Sequence, residues 1–416
     1  MLFPRGLAAV TRKLPTDTVI VSSLRTPIVK ARGQFKDTHP EQLLHTVLKA
    51  TLDLVPALDP SKVGDVAVGV VLSELGGSKA ARMAMNHAGY PNTTSLYTVN
   101  RACASSLQSI ALVAAQIRTG AISVGIGAGM ESMSRNYGSR AIPTDLWSEL
   151  AQSSVADVRD CIMPMGLTSE NVAKRYGVSR SDQDSLALAS HKRALGARES
   201  GAFEKEIVPV TTRFRPVDRK SGEKIGEEQT ILVSQDDGIR PNISAESLAK
   251  LRPAFAAAGS STAGNSSQVS DGAAATLLAQ RDVAVELGLP ILGKFVLATT
   301  VGCAPDEMGI GPALAIPKIL QRHDLVIQDI DRWELNEAFA SQALYCIREL
   351  GLKRALEDGK VNSDGGAIAL GHPLGATGAR MTATLMHGLG RTQGELGIVS
   401  MCLGTGMGMA GLYVRE

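Results

Sequence analysis

Four short stretches of the chain carry side chains that could do chemistry. Cys103 lies in Val99-Asn100-Arg101-Ala102-Cys103-Ala104-Ser105-Ser106, and Asn336-Glu337-Ala338-Phe339, Gly371-His372-Pro373 and Cys402-Leu403-Gly404 follow in that order. Together they offer a thiol nucleophile, an amide, an imidazole and a second thiol. The three later stretches lie in or beside turns of glycine or small residues, where a side chain can face a cleft. One cysteine near a helix start would mean little, because most free cysteines are inert packing. Two cysteines, a histidine and Asn-Glu-Ala-Phe point to carbon–carbon bond chemistry on a thioester.

A thiol with a pKa of about 8.5 is only a few per cent thiolate at neutral pH. Cys103 directly precedes an apolar-periodic helix, whose unpaired N–H groups and dipole are expected to favour the thiolate. His372 is flanked by glycines, with Pro373 fixing the next turn. It could take the Cys103 proton or donate a hydrogen bond to an oxyanion; the plainer reading is a turn histidine. Cys402 follows a buried strand and precedes Gly404, Gly406 and Gly408. An exposed second thiol opposite the first suits proton transfer at a substrate carbon, although alone it reads as a thiol in a strand-end turn. Cys161, Cys303 and Cys346 have no such setting and are assigned to packing.

The elements that must hold these groups alternate. Val19–Val21, Val66–Val71 and Ser123–Gly127 read as strands, with helices at Glu41–Leu54 and Ser105–Arg118. In the second helix Leu107, Ile110, Ala111, Ala114 and Ile117 form one apolar stripe, and Gly120 ends it. From about Ile291 the pattern restarts. Strands are expected at Ile291–Thr300, Asp331–Leu335, Gly397–Met401 and Met409–Val414, and helices at Gly311–Arg322, Phe339–Leu350 and Thr377–Leu389. Alternation of this kind implies largely parallel sheets covered on both faces, built as two similar halves. Between them lies a more polar stretch with a hairpin around Arg213, Arg215, Arg219 and Lys220, followed by Ala263-Gly264-Asn265-Ser266-Ser267 and a buried strand at Gly272–Leu278. The expected division is a flexible N-terminal segment 1–17, a first half of 18–130 with 257–284, an inserted loop domain 131–256, and a second half 285–416.

Bulk composition excludes more than it selects. A chain of 416 residues is too long for one ordinary core. Lys+Arg 43 against Asp+Glu 41 argues against a general nucleic-acid binder. Gly 42 with only 4% aromatics suits tight turns and close helix–sheet packing. No run approaches the roughly 18 apolar residues of a membrane span. Five scattered cysteines form neither a disulfide framework nor a zinc pattern, so no metal and a reducing compartment are expected. Met1–Pro15 carries Arg5, Arg12 and Lys13 and no acidic residue, which reads either as a weak targeting presequence or as a frayed basic tail.

With these motifs in hand the chain resembles the thiolases, most of all the degradative, peroxisomal-type 3-ketoacyl-CoA thiolases. The resemblance runs from about Thr18 to Val414. It rests on the Cys103 stretch, Met165-Gly166-Leu167-Thr168-Ser169-Glu170-Asn171-Val172-Ala173, Ala263–Ser267, Asn336–Phe339, Gly371-His372-Pro373-Leu374-Gly375 and Cys402-Leu403-Gly404-Thr405-Gly406. It implies an α/β thiolase-like fold, two tandem halves with central mixed sheets in an αβαβα arrangement plus the inserted loop domain. It also implies that Cys103 carries the acyl group, His372 takes the thiol proton, and Cys402 protonates the acetyl-CoA enolate. That enolate would lie near His372 and a water held by Asn336, and the oxyanion at Cys103 would use the backbone N–H groups of Cys103 and Gly404. Glu337 falls behind the site. Met165, Ser267, Ala338 and Phe339 are expected to line the substrate. Coenzyme A is then a cosubstrate with no tightly bound cofactor, and the assembly a homodimer, a tetramer being the other expectation. One residue departs from the pattern: Ser106 stands where the family usually has glycine, which bears on packing or acyl-chain space rather than on the chemistry.

Rivals differ in identifiable ways. An acetoacetyl-CoA thiolase would run the same residues towards condensation, but the inserted loop and Pro164-Met165 resemble the degradative type. A ketoacyl synthase would normally place a second histidine at Cys402. A cysteine hydrolase leaves Cys402 unexplained, and a lipid carrier or scaffold with a dead site leaves all four groups unexplained. Family resemblance points to the peroxisome, whereas the basic Met1–Pro15 segment points to the mitochondrial matrix.

Overall fold

The structure, a computed structural model, describes residues 4–137, 141–218 and 223–416. Twelve strands are present among them: β1 Thr18–Arg25, β2 Val29–Lys30, β3 Asp65–Gly69, β4 Ser95–Val99, β5 Val124–Ser132, β6 Val210–Phe214, β7 Gln229–Val233, β8 Ser270–Gln280, β9 Gly293–Gly302, β10 Arg332–Leu335, β11 Leu396–Leu403 and β12 Met407–Arg415. Eight described helices have ten or more residues: α1 Pro40–Leu54, α2 Ser78–His87, α3 Ser105–Arg118, α4 Met165–Arg175, α5 Arg180–Glu199, α6 Gly311–His323, α7 Ala340–Glu349 and α8 Thr377–Thr392.

The strands run in the order β10-β11-β12-β9-β1-β8-β5-β3-β4, with β2 paired to β8. Reading outward from β1, the partners are β8 (antiparallel), β5 (antiparallel) and β3 (parallel). Reading outward from β9, they are β12 (antiparallel), β11 (antiparallel) and β10 (parallel). The same path is thus traced twice, and the first copy adds β4 at its edge. The copies meet through only two residue pairs, Val19↔Lys294 and Ile20↔Gly293. β8 lies between β1 and β5, so the chain leaves the first copy after β5 and returns to it through β8, where the register partners Ser132 and Asp271 are 139 residues apart and Ser132 Oγ lies 3.1 Å from Asp271 Oδ1.

Three apolar seams explain the layering. One joins α1 and α2 (Leu43, Leu44, Met85) to one face of the first sheet half. A second holds α3 and α8 (Leu107, Ile110, Ala379, Leu385) between the two halves, against Ile20, Phe295 and Val399. A third packs α6 and α7 (Ile316, Ile319, Ile347) on Leu335, Ile398 and Leu412. Helix, sheet, helix, sheet, helix is the result. α3 and α8 lie so close that a Cβ on Gly378 would meet the Leu107 backbone N at 2.4 Å.

The N-terminal segment departs from expectation. Residues 4–17 were expected to be flexible, but they are strapped across the second half. Gly6 N–H donates to the His323 carbonyl at 2.7 Å, and Val10 is fully buried in the seam around α6. Lys294 Nζ donates to the Arg12 carbonyl at 2.6 Å, and Lys13 pairs with Glu416 at 3.0 Å. One buried valine, backbone hydrogen bonds and ion pairs at Lys13 and Asp17 dock it, features with no periodicity to read. The expected hairpin is β6–β7, carrying Arg213; Arg219 and Lys220 lie outside the described residues.

Candidate active site

Cys103 is presented by a turn the sequence must strain to make. Ala102 holds φ +45°, a left-handed conformation uncommon for a residue with a side chain. Asn100 and Ser105 pin it: Ala102 N–H donates to Asn100 Oδ1 at 2.9 Å, Arg101 N–H to Ser105 Oγ at 2.9 Å, and Ser105 Oγ–H to the Ala102 carbonyl at 2.6 Å. α3 begins two residues after the cysteine. The thiol faces the backbone N–H of Gly404 and its own N–H. These favour the thiolate, as the helix start was expected to, but burial outweighs them and pushes the Cys103 thiol up to about 11. Cys103 is therefore a thiol at rest and needs a base.

His372 has the chemistry of one. Gly371 (φ +107°) sets its backbone, and a Cβ there would strike Ser270 Oγ at 2.2 Å, so only glycine fits. His372 N–H donates to the Gln268 carbonyl at 3.0 Å. Its Nδ1 lies 2.7 Å from the Thr377 hydroxyl and its Nε2 3.5 Å from Asn336 Nδ2. With Nδ1–H donating to Thr377, Nε2 carries the lone pair, which faces the Asn336 Nδ2 donor and is the place for a proton. Burial, helped by the Arg380 charge, pushes the imidazole down to about 3, so it is neutral at physiological pH.

Asn336 follows β10, held by its N–H on the Ser400 carbonyl at 2.9 Å. Its Oδ1 is buried and has no hydrogen-bond partner in the protein. Glu337 turns the other way: its carboxylate accepts from Ser190 Oγ at 2.7 Å, Asn362 Nδ2 at 2.8 Å and Ile368 N–H at 3.3 Å. That fastens the Ala367–Leu370 helical turn directly before His372, as its expected place behind the site requires.

Cys402 is the penultimate residue of β11 and was expected to be an exposed thiol. It is fully buried instead, packed with Ala338, Phe339, Met308 and Met165. Burial first, then the neighbouring Cys103, raises its thiol well above the usual range. The turn that follows contains Thr405 (φ +68°) and Gly406 (φ +84°), where a Cβ would strike the Cys303 carbonyl at 2.3 Å. This turn aims Gly404 N–H at Cys103.

The four motif stretches thus converge: Cys103 on Gly404 and Cys402, Phe339 and Ala338 on Cys402, and Asn336 on His372. Of the expected lining residues, Met165 begins α4 with its sulfur 3.6 Å from where a Gly404 Cβ would be, and Ser267 N–H donates to the Ala338 carbonyl at 2.9 Å. Met308 and Thr377 belong to the cluster without any motif to announce Met308; Thr377 had a signal, since it opens a helix five residues after the histidine. Phe255 closes the rim, edge-on to Phe339 with ring centres 6.0 Å apart. Beside the site a cavity of about 600 Å³ is lined by Ile239, Arg240, Leu248, Leu251 and Gln268. Gln268 joins cavity to site, because its carbonyl accepts from His372 and its Nε2 donates to the Gly238 carbonyl at 2.8 Å. A second cavity, about 610 Å³ near Glu74 and Lys79, touches none of these residues. Among the described residues no cluster of His, Cys, Asp or Glu could hold a metal ion, and no helix is long and apolar enough to cross a membrane.

Residues 18–282 match the family Thiolase, N-terminal domain, and residues 289–415 match Thiolase, C-terminal domain. The chain belongs to the thiolase family. It is 52% identical over 400 residues to the 3-ketoacyl-CoA thiolase A, peroxisomal, of Rattus norvegicus, covering 96% of this chain and 88% of that one. The human 3-ketoacyl-CoA thiolase, peroxisomal, is 51% identical over 399 residues, covering 95% and 90%. Among solved structures, the dimeric peroxisomal thiolase of Saccharomyces cerevisiae superposes with a TM-score of 0.88 at 42% identity, over 99% of this chain and 100% of that one.

Proposed function

We propose that the protein cleaves 3-ketoacyl-CoA thiolytically to acetyl-CoA and a shortened acyl-CoA, the last step of fatty acid β-oxidation. The neutral imidazole of His372 takes the Cys103 proton at Nε2, and the sulfur attacks the 3-keto carbon. The alkoxide so formed is met by the N–H groups of Cys103 and Gly404. As it collapses, the C2–C3 bond breaks and its electron pair moves onto the acetyl-CoA fragment as an enolate, whose oxygen is met by His372 and by a water on Asn336. Cys402 gives its proton to C2. Acetyl-CoA leaves and coenzyme A enters; its thiol proton goes to the Cys402 thiolate, its sulfur takes the acyl group, and the Cys103 sulfur so released recovers its proton from the His372 imidazolium. Each group ends in the state in which it began.

The observation that carries this reading is the meeting of two thiols from opposite halves at the Gly404 turn, with His372 and Asn336 paired beside them. A hydrolase would need only one of those thiols. The cavity along residues 238–251 and Gln268 suits the pantetheine arm of CoA, leading it past Ser267 to Met165, Ala338 and Phe339. No cofactor beyond this cosubstrate is needed. The relatives support a peroxisomal homodimer, and the division into two halves with residues 131–256 as an inserted, CoA-binding unit belongs to the same reading. Cys103→Ser tests it. Thiolysis should fall by several orders of magnitude in a folded protein, as when a covalent nucleophile is removed. Mass spectrometry after incubation of the unaltered enzyme with acetyl-CoA should find the acetyl group on the Cys103 peptide; an acetyl group on Cys402 alone would reverse the two roles.

A further inference from the structure

We propose that Ser106 is a positioning residue for His372, acting through the first turn of α8. The inference rests on the function proposed above. α8 has no capping side chain of its own: its N-cap is Ala376, and the Thr377 hydroxyl is engaged with His372 Nδ1 at 2.7 Å. The missing acceptor comes from a different helix. Ala379 N–H, at the third position of α8, donates to Ser106 Oγ at 2.9 Å, and Ser106 is fully buried. An N–H at that position is one a helix ordinarily satisfies with its own Ser, Thr, Asp or Asn. Here the cap is delivered across the central seam by the helix that follows Cys103.

The surroundings leave the hydroxyl little choice of partner. Cβ atoms placed on Gly129 or Gly69 would meet Ser106 Cβ at 2.6 Å or its backbone N at 2.3 Å, and one on Gly378 would meet Leu107 N at 2.4 Å. Backbone therefore walls the site on three sides. The same turn is gripped from below by Glu131, which accepts from Gly375 N–H at 3.0 Å. Ser106 and Glu131 hold the two ends of one short segment, Gly375 to Ala379, and Thr377, which orients the imidazole, lies between them. Ser106 thereby couples the helix that begins at the nucleophile to the helix that begins at the base.

The test compares Ser106→Ala, Thr377→Val, the double variant and Thr377→Ser, by the rate of Cys103 acetylation from acetyl-CoA and by the KM-against-kcat split in thiolysis. Misplacing a catalytic group by a fraction of a bond length costs about ten- to a hundredfold. Ser106→Ala should slow acetylation by that much, lower kcat in parallel and leave KM within about twofold. Thr377→Val should do the same, Thr377→Ser should keep the unaltered rate, and the double variant should be no slower than Thr377→Val alone, since both act on one imidazole. Should Ser106→Ala not fold, Ser106→Gly removes the same hydroxyl without adding an atom. A Ser106 variant that melts lower but acetylates at the unaltered rate overturns the role, as does a double variant showing the product of the two losses. Absence of acetylation in the unaltered enzyme would instead defeat the function proposed above.

Discussion

Cys103 and Cys402 are both thiols that burial drives away from ionisation, yet the proposed mechanism gives them opposite duties. In that mechanism Cys103 loses its proton to His372, and Cys402 keeps one until a carbanion needs it. Their surroundings separate them: two N–H groups face the Cys103 sulfur, while Met308, Ala338 and Phe339 enclose Cys402. Cys402→Ala should therefore still be acetylated at Cys103 but lose exchange of the acetyl-CoA methyl protons with heavy water, followed by NMR; exchange at the unaltered rate would reduce Cys402 to packing. A second expectation concerns pH. With the Cys103 thiol pushed up to about 11 and His372 pushed down to about 3, no thiolate–imidazolium pair exists at rest. Alkylation of the free enzyme by iodoacetamide should rise steadily with pH between about 6 and 9, because the thiolate fraction grows tenfold per unit below the pKa. A plateau in that window would show a preformed ion pair. His372 and Cys402 were legible because glycine and proline punctuate their stretches, and Cys103 because an apolar-periodic helix follows it. Cys402's burial was not, since Met308 reaches it from a segment 94 residues away in sequence (402 − 308) that carries no motif.

At the scale of elements, α3 runs from Ser105 to Arg118, as its apolar stripe and Gly120 indicate. Two neighbours left weaker traces. β4 is an edge strand whose residues are exposed or half-buried, so Ser95–Val99 shows no buried run. α2 buries only Ala81, Ala84 and Met85, too small a stripe to stand out in Ser78–His87. The close approach of α3 and α8 was also unreadable, because contact between helices distant in sequence depends on the paired surface, not on either helix alone. It yields a sharp prediction at Gly378. Ala is the better helix former by roughly 1 kcal/mol, yet its Cβ would meet backbone at 2.4 Å, which cannot swing aside as a side chain could. Gly378→Ala should destabilise by about 1–3 kcal/mol, the range for an overpacked interior, as a shift of the urea midpoint. A stabilised variant would mean that the central seam yields.

For the whole molecule, the doubled strand path was anticipated by the restart near Ile291, whereas the strap formed by residues 4–17 was not. Val10→Ala should remove roughly 2 kcal/mol of stability, from two buried methyl groups and the space they leave. The strap is fastened to Lys294 and Glu416, at the end of the second sheet half opposite Cys402, so thiolysis at 25 °C should proceed at the unaltered kcat; an altered kcat would tie strap to catalysis. A different consequence follows from β8 lying between β1 and β5. Ser23 on β1 meets Thr276 on β8 at 2.9 Å, across 253 residues of sequence. At a synthesis rate of about 5–20 residues per second, β1 leaves the ribosome on the order of ten seconds or more before its neighbour exists. All eight of its residues are buried in the finished protein. During translation the first half is a sheet with an inner strand missing, and each nascent chain passes through an interval in which an apolar edge has nothing of its own to pair with. The order of strands that assembles the active site also keeps that edge open until β8 arrives to close it.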